Sequence, residues 1–460
     1  MDFTQLKLDD LFACLSEQGA VGLAVSGGGD SMALIHLFAE WREAHPLTDG
    51  KDVVFSVDHG VREEALGEVS FVMKTADELG FLGVPIKLEG LDDGGALQAR
   101  ARDARYEAMA GRLKELRLSQ LLTAHTLDDQ AETFLMRLLR GSGIDGLSSM
   151  HAKRELYGVT IVRPLLTVRG EVLRGWLSKR GIDWVSDPSN EKVEYERVQV
   201  RQLLQSLEGL GNSPEGNLTE MIGESVRRLQ RGRLALEQQA IDFVNSQVRA
   251  HRIGFLHVKA DDLFCLPLEI QIRILHRLLL AFGIEGRSLS SLEGGISHIE
   301  AMGKAKFVLA GVMCEKKADG YLQFSREIGR TPFEIVTRNF TQNDLASEKQ
   351  LIWDKRVEII VPSGFAGELL VRGFSNVEIA QIKEKYKQIG VDVSRLKGAQ
   401  KILPALAGCW CNDQLVAVPQ LELYDESLFV ELFGDLDAFL DDVSFERAVF
   451  PLNRWKTQLI

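Results

Sequence analysis

The chain has 460 residues, 45% of them apolar and 26% charged, with a formal net charge of −12. That is ordinary for a globular protein, and at roughly 100–200 residues per domain it leaves room for two to four domains. No stretch reaches the roughly 18 apolar residues of a membrane-spanning helix, and the acidic balance argues mildly against a nucleic-acid partner. The start, Met1-Asp2-Phe3-Thr4, lacks a basic stretch leading into an apolar core, so no signal peptide is expected. The five cysteines (Cys14, Cys265, Cys314, Cys409, Cys411) are odd in number and mostly far apart. That fits reduced thiols in a cytoplasmic protein better than a disulfide framework, and Cys409 with Cys411 reads as two strand thiols or, less simply, as half a metal site.

The predicted elements alternate over the first 200 or so residues. Residues 21–25 form a short apolar strand closed by a glycine cluster, and 31–43 carry apolar residues at helical spacing (Ala33, Leu34, Leu37, Phe38, Trp41). A second strand at 53–57 ends at Asp58-His59-Gly60, and a helix at 64–79 is stopped by Gly80. A third strand at 84–88 contains Pro85, which places it at a sheet edge or marks the strand's start. A long helix spans 97–116, a fourth strand 121–124 and a further helix 127–139. This alternation predicts an α/β fold, a parallel sheet with helices on both faces, whose ligands bind at the carboxyl ends of the strands. The segments 26–31, 58–62 and 125–132 lie at those ends.

Gly209-Leu210-Gly211-Asn212-Ser213-Pro214-Glu215-Gly216 reads as a linker. A long Arg- and Gln-rich helix at 218–249 and another helix at 268–282 follow, and short strands (357–361, 368–371, 415–418) dominate from 351 onward. The expected division is a first domain over 1–212, a mostly helical middle domain over 213–335 and a small α+β C-terminal domain over 336–460.

The first chemical motif is Ser26-Gly27-Gly28-Gly29-Asp30-Ser31, delivered by a strand directly into a helix. Glycines let the backbone approach an anion closely, and the helix start adds free N–H donors and a positive dipole end. No lysine follows the glycines, so this is neither the GxxxxGKS/T loop of γ-phosphate transfer nor GxGxxG. A carboxylate at Asp30 makes sense beside phosphate when it holds Mg²⁺, and it would also be favourable as a plain first-turn residue. The second motif is Ala124-His125-Thr126-Leu127-Asp128-Asp129-Gln130-Ala131-Glu132-Thr133. Thr126 and Asp129 have capping-box spacing, while Asp129 and Glu132 share a helix face and are able to hold an ammonium or a metal.

On these residues the chain resembles the PP-loop, or N-type, ATP pyrophosphatases, whose loop reads SGGxDS. The resemblance implies an adenine nucleotide alpha hydrolase-like fold, cleavage of ATP between its α- and β-phosphates, and transfer of AMP to a substrate oxygen. The loop alone leaves open synthetases of GMP, NAD, asparagine or argininosuccinate, tRNA thiolases and lysidine synthetases. The second motif is similar to HHxxDxxET of the tRNA(Ile)-lysidine synthetases, with Thr126 in place of the second histidine. Further similar segments are Asp58-His59-Gly60-Val61-Arg62 and the helix from Gln98 to Tyr106. Arg163-Pro164-Leu165-Leu166, Asp187-Pro188-Ser189-Asn190 and Arg197-Val198-Gln199-Val200-Arg201 complete the set, though the asparagine usual in the last is absent at Val198.

The resemblance implies ligation of free lysine to carbon 2 of the wobble cytidine of a CAU-anticodon tRNA(Ile), through an adenylated cytidine. ATP and Mg²⁺ are then expected on Ser26, Gly27, Gly28, Gly29, Asp30 and Ser31, with Asp58 and His59 near the adenosine and Asp30 on the metal. Asp129 and Glu132 are expected to bind lysine, His125 to act as general base, and Arg105 and Arg197 to complete the catalytic set. Arg201, Arg227, Arg228 and Arg231 are the expected tRNA contacts, since phosphate binding needs local rather than overall positive charge. Basic residues also cluster at Arg163, Arg169, Arg174, Lys179 and Arg180, and between Lys383 and Lys401. A tRNA thiolase is the rival enzyme, disfavoured by the absence of CxxC, and an ATP-sensing RNA binder is the rival from another class.

Overall fold

The computed structural model describes residues 8–15, 19–47, 50–58, 64–88, 97–185, 196–208, 217–251, 255–284, 286–303 and 306–327, and further on 336–340, 349–353, 357–361, 367–374, 378, 408–411, 414–418 and 423–424. The chain divides into two compact units, Met1–Arg233 and Leu234–Leu459. In the first, the elements run α1 (Leu8–Phe12), β1 (Gly22–Ala24), α2 (Gly29–Ala44), β2 (Val53–Asp58), α3 (Glu64–Glu78), β3 (Leu82–Lys87), α4 (Leu97–Glu115), β4 (Gln120–Thr123) and α5 (Leu127–Leu139). They continue with α6 (Ile144–Leu147), β5 (Lys153–Leu156), β6 (Val159–Val162), α7 (Gly170–Lys179), α8 (Glu196–Glu208) and the long α9 (Leu218–Gln247), in which the boundary between the units falls.

The strands form one six-stranded sheet in the order β3-β2-β1-β4-β6-β5. All neighbours pair in parallel except β5, which joins β6 antiparallel. Side chains alternate across the sheet, and both faces are covered. Val54, Leu122 and Val162 pack on the face shared by α1, α2, α3 and α7, while Val53, Phe55, Leu121 and Ile161 pack beneath α4 with Tyr106, Met109 and Leu113. Two covered faces explain why these strands read as apolar runs rather than as alternating patterns. Gly22 makes close packing possible on the α4 side: a Cβ there would lie 2.7 Å from both Leu113 Cδ2 and Phe55 Cε2. Pro85 does lie on an edge strand, where its missing N–H costs no ladder bond. Because the order reverses at β1, the carboxyl ends of β1 and β4 flank the crevice where such sheets bind ligands.

The β5–β6 hairpin is absent from the sequence reading. Its turn is Tyr157-Gly158, both left-handed (φ 51° and 73°), the backbone required by a two-residue hairpin turn.

In the second unit, a five-stranded antiparallel sheet runs β7 (Arg249–His251), β8 (Phe255–Lys259), β11 (Tyr321–Arg326), β10 (Val312–Lys316), β9 (Lys306–Leu309). Its inner face packs with α10 (Ala260–Phe264), α11 (Leu268–Ala281) and α12 (Leu289–Ala301) through Leu256, Val258, Leu322, Phe324, Ile274 and Leu278. These helices and a five-stranded sheet share one core, where the sequence suggests helices and mixed material. A second sheet runs β12 (Val336–Phe340), β15 (Gly367–Arg372), β16 (Gly408–Cys411), β17 (Gln414–Val418), β18 (Leu423–Tyr424), beside the pair β13 (Lys349–Trp353) and β14 (Val357–Val361). Cys409 and Cys411 both lie on β16. No described helix is long and apolar enough to cross a membrane.

Candidate active site

The loop after β1 is shaped by its own hydroxyls. Gly27 takes φ +86°, a left-handed backbone that glycine adopts freely, and its carbonyl accepts from Val185 N at 2.9 Å. Gly28 is the N-cap of α2, with extended backbone and no side-chain cap, so the helix start keeps its N–H donors available. Buried Ser31 braces the turn: its Oγ donates to Gly28 O at 2.8 Å, accepts from Ser26 N at 3.2 Å and lies 3.3 Å from Ser26 Oγ. With the Ser31 proton on Gly28 O, Ser26 is the donor in the hydroxyl pair. Burial pushes the Asp30 carboxyl up to about 6; Arg174, whose Nη1 donates to Oδ1 at 3.2 Å, opposes the rise, and Asp129 and Asp128 add to it.

Across the crevice, α5 begins at Thr126, a buried capping-box residue. Its Oγ1 accepts from Asp129 N at 3.4 Å, while Asp129 Oδ2 accepts from Thr126 N at 2.8 Å and Oγ1 at 3.1 Å. The residue that replaces the usual second histidine is thus a helix cap. Asp128 accepts from Arg169 Nε at 2.8 Å and Gly170 N at 2.7 Å, tying the start of α7 to that of α5.

Asp129 and Glu132 do converge, and α8 brings two arginines onto them. Arg197 bonds both carboxylates, reaching Glu132 Oε2 at 2.5 Å, and Arg201 Nε donates to Glu132 Oε1 at 2.6 Å. The side chain of Glu132 is 2% exposed and that of Asp129 21%. Arg197, expected in the catalytic set, lies on both carboxylates, and Arg201, expected to contact tRNA, has its Nε on Glu132. The arginine partners lie more than 60 residues away in sequence (|i−j| 65 to 69), so no local spacing points to them.

His125 closes the cluster at the end of β4. Nδ1 is 2.9 Å from Thr123 Oγ1 and Nε2 is 3.3 Å from Arg102 Nη2. A guanidinium only donates, so Nε2 accepts and the proton sits on Nδ1, facing Thr123. Burial pushes the imidazole down to about 3; Asp129 opposes the fall, and Arg163, Arg102 and Arg197 add to it. Such a ring is neutral at pH 7 and a weak base with an occupied lone pair, which favours a holding role over the general-base role expected of it.

The pKa has a stability consequence. The unfolded imidazole takes up its proton near pH 6.5 and the folded one only near 3, so stability falls as pH drops through that window. His151, pushed down to about 4 chiefly by burial, acts in the same direction, whereas Asp30, raised to about 6, acts in the opposite one below pH 6. Between pH 7.5 and 5.5 the wild type is expected to lose about 1.4 kcal/mol more than His125→Gln in urea unfolding. Equal losses would contradict the assignment.

Of the other expected residues, Arg105 lies half-buried on α4, one turn from Arg102. Asp58 ends β2, and His59 and Arg62 lie outside the described residues, as does the segment 187–190. On α9, exposed Arg227 and Arg228 pair with Glu224, and exposed Arg231 shares their side of the helix. The opposite side faces the 144–151 segment: Gln230 donates to Ser148 O and Met150 O, both at 2.9 Å, and Arg233 to Asp145 at 2.8 Å. Among the described residues no group of three or more His, Cys, Asp or Glu is placed to hold a metal.

The family model of the PP-loop domain (ATP_bind_3) matches residues 2–207. The tRNA(Ile)-lysidine synthase of Rhodopseudomonas palustris is 40% identical over 280 residues, 60% of this chain and 78% of that one. The chain belongs to the tRNA(Ile)-lysidine synthase family. A second member, from Bradyrhizobium diazoefficiens, is 38% identical over 283 residues, 60% of this chain and 76% of that protein. The member from Wolbachia pipientis wMel is 36% identical over 262 residues, 57% of this chain. The matched part spans about half to three fifths of several family members, at 59% and 62% for two from Wolbachia and 50% for that of Ruegeria pomeroyi. The U34-tRNA thiolase NcsA of Methanococcus maripaludis superposes at TM-score 0.41 and 17% identity over 48% of this chain and 76% of that one.

Proposed function

We infer that this chain, as a member of that family, uses ATP to activate the wobble cytidine of a CAU-anticodon tRNA(Ile) and joins free lysine to carbon 2 of the base. What carries the reading is one juxtaposition: the 26–31 loop and the Asp129–Glu132 cluster stand at the ends of adjacent strands β1 and β4. ATP's phosphates belong on the loop, where the free α2 N–H groups face developing negative charge and the Ser26–Ser31 hydroxyl pair braces the turn that presents them. The cytidine oxygen at carbon 2 forms a bond to the α-phosphorus as the bond to pyrophosphate breaks. Lysine's ε-amine then bonds to carbon 2, and AMP leaves with its oxygen. The base must leave its stack to react, which costs little in a single-stranded anticodon loop.

Lysine arrives as an ammonium, and Asp129 is the more accessible of the two carboxylates. Buried Glu132 acts through Arg197 and Arg201, which it holds in place. Asp30, at the first turn of α2 beside the loop and close to Asp128 and Asp129, is the carboxylate that would hold Mg²⁺ there. When bound, Mg²⁺ would neutralise charge on the leaving pyrophosphate. The free thiols of Cys14, Cys265 and Cys314 suit a reducing cytoplasm.

The proposed division of labour is a catalytic domain over 1–212, a tRNA-binding domain over 213–335 and a small C-terminal domain over 336–460. Charge reversal of Arg227, Arg228 and Arg231 together is expected to weaken tRNA binding at least about tenfold and leave ATP affinity unchanged. Among the described residues the ion pairs of Arg227 and Arg228 are with half-buried Glu224 on the same helix face, so the fold should lose little. Unchanged tRNA affinity in filter binding would remove α9 from the interface. Pyrophosphate release tests the reaction itself: it should require ATP and tRNA together, whereas ATP binding without release would indicate a nucleotide-sensing RNA binder.

A further inference from the structure

Most arginines around the site have a carboxylate partner. Arg169 has Asp128, Arg174 has Asp30, Arg197 and Arg201 have Glu132, and Arg233 has Asp145. Arg102 and Arg163 differ: among the described residues their contacts are with neutral groups. Arg102 stands over the Tyr106 ring, 5.4 Å from its centroid, and gives one N–H to His125 Nε2. Arg163 follows β6, is 5% exposed, donates to His151 O at 2.8 Å and leaves its buried Nε without a partner. Burial, with Arg102 adding to it, lowers the pKa of both Arg105 and Arg163, so the fold holds like charges together here.

Neutral anchors fix a guanidinium without neutralising it. Tyr106 and His125 do this for Arg102: Nε2 accepts from the guanidinium, and the proton this leaves on Nδ1 is received by Thr123 Oγ1. A guanidinium so held, with N–H groups left over and further positive charge behind it, is organised for an anion. The loop after β1 leads into α2 on one face of the sheet, and Arg102 comes from α4 on the other, meeting the end of β4. It thus stands at the carboxyl end of β4, the strand that pairs with β1, whose own end carries the loop.

We propose that Arg102, supported by Arg163, seats a phosphodiester of the RNA substrate beside the reacting nucleotide. This rests on the reading of the substrate as RNA given above. Arg102 reads the backbone, so it sets where the base enters and carries no sequence information.

The test is the salt dependence of tRNA(Ile) transcript binding by full-length wild type, Arg102→Gln and Arg102→Lys, with ATP affinity and thermal unfolding measured alongside. Arg102→Gln should bind tRNA about tenfold more weakly, with the slope of log affinity against log salt reduced by about 0.7–0.9, as for one lost phosphate contact. Arg102→Lys should recover the slope, because the charge returns, and ATP affinity should be unchanged in both. An unchanged slope in Arg102→Gln overturns the proposal. So does weakened ATP binding with tRNA binding intact, which would assign the arginine to ATP's phosphates. Lysine incorporation by the wild type tests the underlying reading separately: its failure with normal tRNA binding would defeat that reading, while the salt slopes would still decide Arg102.

Discussion

Glu132→Ala is expected to abolish lysine incorporation and to unfold at a temperature about 5–10 °C below the wild type. The Glu132 side chain is 2% exposed, and its two oxygens accept from Arg197 and Arg201 at 2.5 and 2.6 Å. Deleting it leaves two guanidiniums facing a cavity. Breaking a buried pair costs about 3–5 kcal/mol; here the arginine side chains are 37% and 42% exposed, so water recovers part, and about 2–3 kcal/mol is expected. At about 2–4 °C per kcal/mol for a domain of this size, that gives the stated shift. The activity loss should exceed what instability explains. Arg197 links Glu132 to Asp129, and if Asp129 faces lysine as proposed, displacing it by about 1 Å costs on the order of 100-fold. Glu132→Gln keeps the shape and one acceptor but turns an NH2 toward the second guanidinium, so it should recover only part of the stability lost in Glu132→Ala and still turn over poorly. Wild-type lysine incorporation by Glu132→Gln would show that the charge is not needed there.

Gly28→Ala is expected to fold like the wild type and to lose at least about 100-fold in pyrophosphate release. A methyl at Gly28 would have Ser26 Oγ as its nearest neighbour, at 3.6 Å, and the backbone there is not left-handed, so nothing opposes it in the free protein. The neighbouring glycines behave differently. Gly27 needs φ +86°, and a Cβ at Gly29 would sit 3.0 Å from Arg174 Cγ. Position 28 therefore separates loop shape from loop function: the methyl fills space beside the helix N–H groups where phosphate is proposed to approach. An unchanged melting temperature with near-normal pyrophosphate release would show that the open side of the loop is not the phosphate site.

The architecture of the first unit was legible in the sequence because both faces of its sheet are covered. Apolar runs of four to six residues alternate with helical periodicity, glycines and Asp-rich starts mark the strand ends, and Pro85 identifies an edge. The β5–β6 hairpin was missed because four-residue strands give little periodicity, although Tyr157-Gly158 between two such runs is a hairpin-turn signal. The site was legible as residue types and local spacings: the loop, the Thr126 cap and the Asp129–Glu132 pair. Its wiring was not. The arginines of α8 reach Glu132 across a long stretch of chain, and Arg169 reaches Asp128 from 41 residues away. Nor does a sequence show that half-buried His125 is held between Thr123 and Arg102, with both ring nitrogens engaged.

Incubating the protein with ATP, labelled lysine and a tRNA(Ile) transcript bearing the CAU anticodon should put label into the tRNA. That label should depend on ATP and be lost when the wobble cytidine is replaced by uridine. Label that persists without the cytidine, or pyrophosphate release with no lysine in the RNA, would contradict ligation of lysine to that base.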